Sequence, residues 1–257
     1  MRARSTIFTL YTELVYPGDT VWVGRLVRWM ELLGFSEPAV RAAVSRSAAR
    51  GWILPERQGR RAYYKLSPRV SWQVRQVRRR LTDGVDGSWD GRWRMLVYAV
   101  PEGMRSQRDK FRNELVLLGY GTPAPGVWIS PTADLGATAE LISYYDLAPY
   151  VEVFQAERLG SQPVESLVAR TFHLEEAEER YRRLSERLEA VPSDPDPETA
   201  FVELIQLVHE ARKILFFDPG LPKQLAPAAF AGGEVRQRFT DVRQRLRQAA
   251  GGLVKPE

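Results

Sequence analysis

The chain has 257 residues, 44% of them hydrophobic and 27% charged, a composition that fits an ordinary globular protein with room for two or three cores. It has no cysteine, which excludes a disulfide framework, a thiolate metal site and a cysteine nucleophile, and its two histidines, His173 and His209, leave zinc chemistry or a Ser-His-Asp triad poorly provided for. The net charge of +5 is unevenly spread: residues 1–82 hold sixteen Arg/Lys against five Asp/Glu, a net of +11, and residues 83–257 hold twenty-one against twenty-seven, a net of −6. A basic module joined to a mildly acidic remainder is the electrostatic footprint of a domain that meets a polyanion.

In chain order, residues 4–16 place Ile7, Leu10, Tyr11, Leu14 and Val15 on one helical face. Pro17-Gly18-Asp19 is a turn, "TVWVG" a short strand, and "RLVRWMELLG" a second amphipathic helix stopping at Gly34. Ser36 caps a third helix that tolerates Pro38 in its first turn and turns Val40, Ala43, Val44, Ser47 and Ala48 inward before Gly51. "WILPER" and "RRAYYKLS" flank Gln58-Gly59 and read as a β-hairpin. Three helices and a hairpin in this order are the plan of a winged helix-turn-helix, whose third helix enters the major groove.

Next come a basic helix, "WQVRQVRRRL", and a Gly/Asp-rich break, "TDGVDGSWDG". Strands at 92–100, 127–130 and 150–157 alternate with helices at 105–119 and 136–147, the pattern of a ferredoxin-like unit. From Pro163 the character turns helical. Leu167, Leu174, Tyr181 and Leu188 recur every seven residues and read as an intrachain helix seam; helices are expected at 199–217 and 234–249. The longest uncharged run, Leu115 to Ala133, is broken by three glycines and three prolines and would not insert in a bilayer, so a cytoplasmic protein with no membrane partner is expected.

The segment "SRSAARGWILPERQGRRAYYKLS" carries the strongest functional signal. On the third helix Arg41, Ser45 and Arg46, with Ala42 and Ala49, fall opposite the buried stripe. Arginine reads guanine edges bidentately, serine serves a base or a phosphate, and small alanines let a helix approach the groove. Arg57, Gln58, Arg60 and Arg61 lie on the hairpin beside it, and together these seven residues form a candidate contact with double-stranded DNA. Trp22, Trp29, Trp52 and Tyr63 read as core rather than as stacking platforms, with Tyr64 set apart. His209, Glu210, Arg212 and Lys213 stand before "FFDPGLP", where a cationic patch and two phenylalanines offer a place for an anionic ligand with an apolar portion; charges facing water are the plainer reading. A metal-dependent nuclease on the central unit would need strand-end carboxylates, and only Glu102 is available there. A non-specific architectural DNA binder is the other alternative.

Several blocks in one order carry a family resemblance: "ARSTIFTLY", "VRAAVSRSAARGWI" with "RQGRRAYYKLS", "WDGRWRMLVYAVPE", "LGYGTPAPGVWISP", and "LVHEAR" followed by "DPGLP". The chain resembles the PaaX-type repressors of phenylacetate catabolism over nearly its whole length. The resemblance implies an α+β fold: an N-terminal winged helix-turn-helix over 1–82, a central ferredoxin-like domain over 91–160, and a helical C-terminal domain over 161–257 for effector binding and dimerisation. It further implies a non-enzymatic homodimer that needs no cofactor, represses an aromatic catabolic operon and leaves operator DNA when an aryl-CoA such as phenylacetyl-CoA binds. His209, Arg212 and Lys213 are the candidate effector residues. The central domain is similar to the small CRISPR-associated nuclease of the adaptation complex, which has an aspartate where this chain has Val100. Phe172 and Phe230 stand where the family usually carries tryptophan, an exchange that keeps an aromatic face and removes an N–H donor.

Overall fold

The structure, a computed structural model, describes residues 1–82 and 89–255. Most of the Gly/Asp-rich break, residues 83–88, therefore lies outside the described residues. By compactness the chain divides into two units: residues 1–82, 184–212 and 237–257 form the first, and residues 83–183 and 213–236 the second.

The first unit begins with helix α1 (Ala3–Leu14), strand β1 (Val21–Trp22), helix α2 (Val23–Leu32) and helix α3 (Glu37–Ala49). Strands β2 (Ile53–Gln58) and β3 (Arg61–Leu66) follow, then helix α4 (Pro68–Thr82). The apolar stripes of the three leading helices meet in one core of Ile7, Leu10, Tyr11, Leu26, Trp29, Met30, Val40 and Val44, all buried. The hairpin pairs in register from Ile53↔Leu66 to Gln58↔Arg61, and β1 adds to its other edge through Val21↔Tyr64, giving the antiparallel order β1-β3-β2. Gly59, at φ +62, takes the first central position of the two-residue loop, where type II′ hairpin turns carry glycine.

Three long-range sets of bonds fasten C-terminal helices of this unit to its N-terminal ones. From helix α9 (Pro197–Ile214), Arg212 donates to Ser5 O (3.0 Å), Ser5 Oγ (2.5 Å) and Thr9 Oγ1 (2.9 Å), and His209 Nδ1 lies 2.8 Å from the Thr9 hydroxyl in a buried hydrogen bond. Burial pulls the Arg212 guanidinium down from its usual range to about 10. From helix α10 (Gly232–Ala249), Arg243 and Arg247 each lie 2.8 Å from the carboxylate of Glu13, a side chain only 1% exposed. Past that helix, the carbonyls of Gly252 and Lys255 accept from Arg25, and that of Leu253 accepts from the Trp29 indole at 2.7 Å. Arg78 of α4 closes the end of α1 by donating to Thr12 O and Val15 O.

The second unit contains strand β4 (Arg92–Tyr98), helix α5 (Arg105–Leu117), strands β5 (Gly121–Ala124) and β6 (Val127–Ser130), helix α6 (Leu135–Tyr144) and strand β7 (Val151–Glu157). The sheet order β5-β6-β4-β7 with every neighbour antiparallel is the ferredoxin-like arrangement. One sheet face supports Trp93 and Ile129, which pack with Val168, Phe172, Leu174, Leu221 and Leu225. Phe172 is thus core, and the aromatic face it shares with a tryptophan is what this position uses. Phe230 meets Tyr181 edge to face at 5.8 Å.

The seven-residue spacing runs over two helices rather than one: α7 (Val164–Thr171) and α8 (Glu175–Glu189) are separated by an extended turn at Phe172. The "LGYG" and "DPGLP" blocks meet in space. Gly119 has φ +85, and a Cβ there would stand 2.4 Å from Pro219 O, so both backbone conformation and space demand glycine. Asp218, with its side chain wholly buried, accepts from Tyr181 Oη and Arg236 Nη1 at 2.5 Å each and from Gly220 N at 2.8 Å, fixing that loop.

Candidate nucleic-acid interface

Helix α3 is amphipathic in a way that separates structure from chemistry. Val40, Ala43, Val44 and Ser47 are buried, the Ser47 hydroxyl being satisfied by Ala43 O at 2.8 Å. Arg41, Ser45, Arg46 and Ala49 are exposed on the other side, with Ala42 and Ala48 half-buried between. The helix ends at Arg50 and Gly51, and Trp52 N donates to Ser47 O, which feeds the chain directly into β2. Ser67 N donating to Trp52 O closes the hairpin's far end on the same residue.

Arg57, Arg60 and Arg61 are exposed on the hairpin. Gln58 is placed by its backbone at the end of β2, and its side chain lies outside the described residues. Arg61 stacks on Trp22 at 4.8 Å from the ring centroid. Lys65 is paired with Glu56 at 3.0 Å, which removes it from the available cations. Arg41 is bound to Glu37 one turn earlier, at 2.6 Å, although both side chains remain about half exposed. Among the described residues Arg46, Arg57 and Arg60 have no ion pair.

Trp52 and Trp22, expected in the core, are only half-buried. Trp52 meets Phe8 edge to face at 5.7 Å and carries Arg4 at 4.5 Å and Arg50 at 5.8 Å. These are cation–π contacts, and they hold two further guanidinium groups beside the α3–β2 junction. Arg4 is a further candidate that sequence reasoning did not single out; its only signal is the charge of the N-terminus, because its ring partner is 48 positions away. Trp29 is fully buried as expected, and Tyr63 and Tyr64 are half-buried.

The candidate effector residues sit elsewhere in the chain's architecture. His209 is buried and Arg212 half-buried in the bonds to Ser5 and Thr9 described above, whereas Lys213 is exposed. Glu102, the carboxylate considered for metal chemistry, lies in an exposed turn 3.0 Å from Arg108 and 3.6 Å from Arg105. Among the described residues no group of three or more His, Asp or Glu is placed to hold a metal ion. No described helix is long and apolar enough to cross a membrane.

Comparison with known proteins follows the same division. The PaaX-like protein family matches residues 2–70, the PaaX protein central Cas2-like domain matches 86–168, and the PaaX-like protein C-terminal domain matches 172–255. The transcriptional repressor PaaX of Escherichia coli K12 is 31% identical over 262 aligned positions, covering 97% of this chain and 82% of that protein. An uncharacterized protein from Mycobacterium tuberculosis has a solved structure similar to this one, with a TM-score of 0.58, 22% identity and 98% of each chain covered, a likeness of fold. With three family domains matched in order and a relative at this identity over most of both chains, this chain belongs to the PaaX family.

Proposed function

We propose that the protein is a sequence-specific DNA-binding transcriptional repressor of a phenylacetate-type catabolic operon, working without catalysis. The observation that carries this reading is α3, whose Arg41, Ser45 and Arg46 face outward from a fully buried stripe next to a hairpin bearing exposed Arg57, Arg60 and Arg61. In this reading residues 1–82 are a winged helix-turn-helix, α3 lies in the major groove, and the β2–β3 hairpin is the wing on the phosphate backbone, with Gln58 at its tip. Arg46 reads a base edge while the hairpin arginines position the domain. The relative of known function is itself a transcriptional repressor, which supports the same conclusion.

Release follows from how an effector is coupled to α3. A cytoplasmic homodimer reads a two-fold operator, with 91–160 as central domain and 161–257 as the region for dimerisation and effector. An aryl-CoA such as phenylacetyl-CoA binds near His209, Arg212 and Lys213 and favours a state whose two α3 helices no longer match the half-site spacing. Such a switch requires that the thioester bind the two states with different affinity. The bonds from Arg212 and His209 to Ser5 and Thr9 would carry a change in α9 to α1.

The test is capture of sheared DNA from the source genome by the full-length protein, with bound fragments sequenced, with and without phenylacetyl-CoA. A few strong sites that empty with the thioester are expected. Uniform coverage overturns the repressor, and strong sites that ignore the thioester overturn the effector.

A further inference from the structure

The second unit has a cleft of about 480 Å³ lined by Tyr98, Arg108, Arg112, Trp128 and the 122–126 segment of the β5–β6 hairpin. Its volume is that of a small-molecule site. Three features of its walls point to a ligand, and none is used by the DNA-binding reading.

The first is charge. Arg108 and Arg112 are four residues apart and so share one side of α5. Among the described residues no carboxylate lines the cleft and Arg112 has no ion pair; Arg108 Nη1 donates to Glu102 at 3.0 Å, a pair whose carboxylate is largely exposed and which holds only weakly against a phosphate. Its guanidinium lies 5.9 Å from the Trp128 ring centroid. The second is an orphan donor. Trp128 is 4% exposed, and its indole Nε1 is buried with no hydrogen-bond partner. Buried donors are nearly always satisfied, so an acceptor delivered from outside is the natural complement. The third is rigidity. Pro123 and Pro125 fix the backbone of one wall, Thr122 Oγ1 donates to Ala124 O at 2.9 Å, and Tyr98 N donates to Gly126 O at 2.9 Å, tying the hairpin tip to β4. Tyr98 is held edge to face on Phe111 at 6.3 Å. A preformed wall lowers the ordering cost of binding.

Two guanidinium forks with apolar and aromatic walls select an organic anion. A single carboxylate occupies one fork; a diphosphate occupies both, and the rings and prolines cover a planar base. We propose that this cleft binds a nucleoside diphosphate, with its phosphates on Arg108 and Arg112, its ring against Tyr98 and the prolines, and an acceptor on the Trp128 indole. This site is independent of operator binding, so its test uses the protein without DNA.

Titration calorimetry of the full chain with adenosine diphosphate, pyrophosphate and adenosine separates the components. Saturable binding of the diphosphate at one site per chain is expected, with both fragments weaker. Arg112→Gln, at an exposed position that leaves the core intact, lowers affinity about tenfold or more, as loss of a charge-assisted hydrogen bond does. Trp128→Phe lowers it less; should that variant fail to fold, Arg112→Gln alone decides. Absence of binding, or binding that Arg112→Gln leaves intact, overturns the site. Pyrophosphate binding as tightly as the nucleotide overturns the ring, and adenosine doing so overturns the anion.

Discussion

Within the first unit the same side chain is used in two opposite ways. On α3 and the hairpin, Arg46, Arg57 and Arg60 are exposed and, among the described residues, carry no ion pair. On α9 and α10, Arg212, Arg243 and Arg247 reach back some 200 residues or more to Ser5, Thr9 and Glu13. A guanidinium that has found a carboxylate or carbonyl inside the protein is part of its architecture. One that stands in water beside several others costs self-repulsion and keeps its donors for a partner. On the proposed function the first set serves DNA and the second stability, and substitutions should tell them apart.

The largest effect is expected at Glu13→Ala. It strands Arg243 and Arg247, and because both guanidinium groups retain some access to water the cost is about 2–3 kcal/mol, below that of a fully enclosed pair. Urea denaturation should register it, and the salt dependence of DNA binding should not change. Arg46→Ala should behave in the opposite way. Operator affinity falls by roughly 1–3 kcal/mol if Arg46 reads a base, while folding stability moves by less than about 0.5 kcal/mol. Arg60→Ala should be milder still, reducing the slope of log affinity against log salt by about 0.9 and doing so equally on all sequences. The smallest effect is expected at Glu37→Ala. Loss of its half-exposed pair with Arg41 costs about 0.3–0.5 kcal/mol of stability and, by freeing Arg41, tightens DNA binding slightly in a filter or fluorescence assay.

The outward set was legible in the sequence, and the inward set was not. The α3 stripe of Val40, Ala43, Val44 and Ser47 follows from 3.6-residue periodicity, and the Gln58-Gly59 pair announces the hairpin, so the exposed arginines follow by elimination. No local pattern links Glu13 to Arg243, or Thr9 to Arg212, because such partners are fixed only when the whole chain has packed. Strand β5 is illegible for a different reason: its "GTPA" has no apolar alternation and is ordered by pairing with β6 rather than by propensity. The spacing of Leu167, Leu174, Tyr181 and Leu188 suggested one continuous seam, yet the chain breaks at Phe172, whose ring serves the core of the second unit. The apolar neighbours of Trp22 and Trp52 predict core positions for both. Each leaves a face open instead, and arginines cover both.

The most direct test of this division is the salt dependence of binding to one selected genomic site and to a shuffled duplex, for the wild type, Arg46→Ala and Glu13→Ala at a temperature where all three are folded. Arg46→Ala is expected to lose the preference for the selected site while Glu13→Ala keeps both preference and slope. Equal preference in wild type and Arg46→Ala would contradict the assignment of α3 as the element that reads DNA.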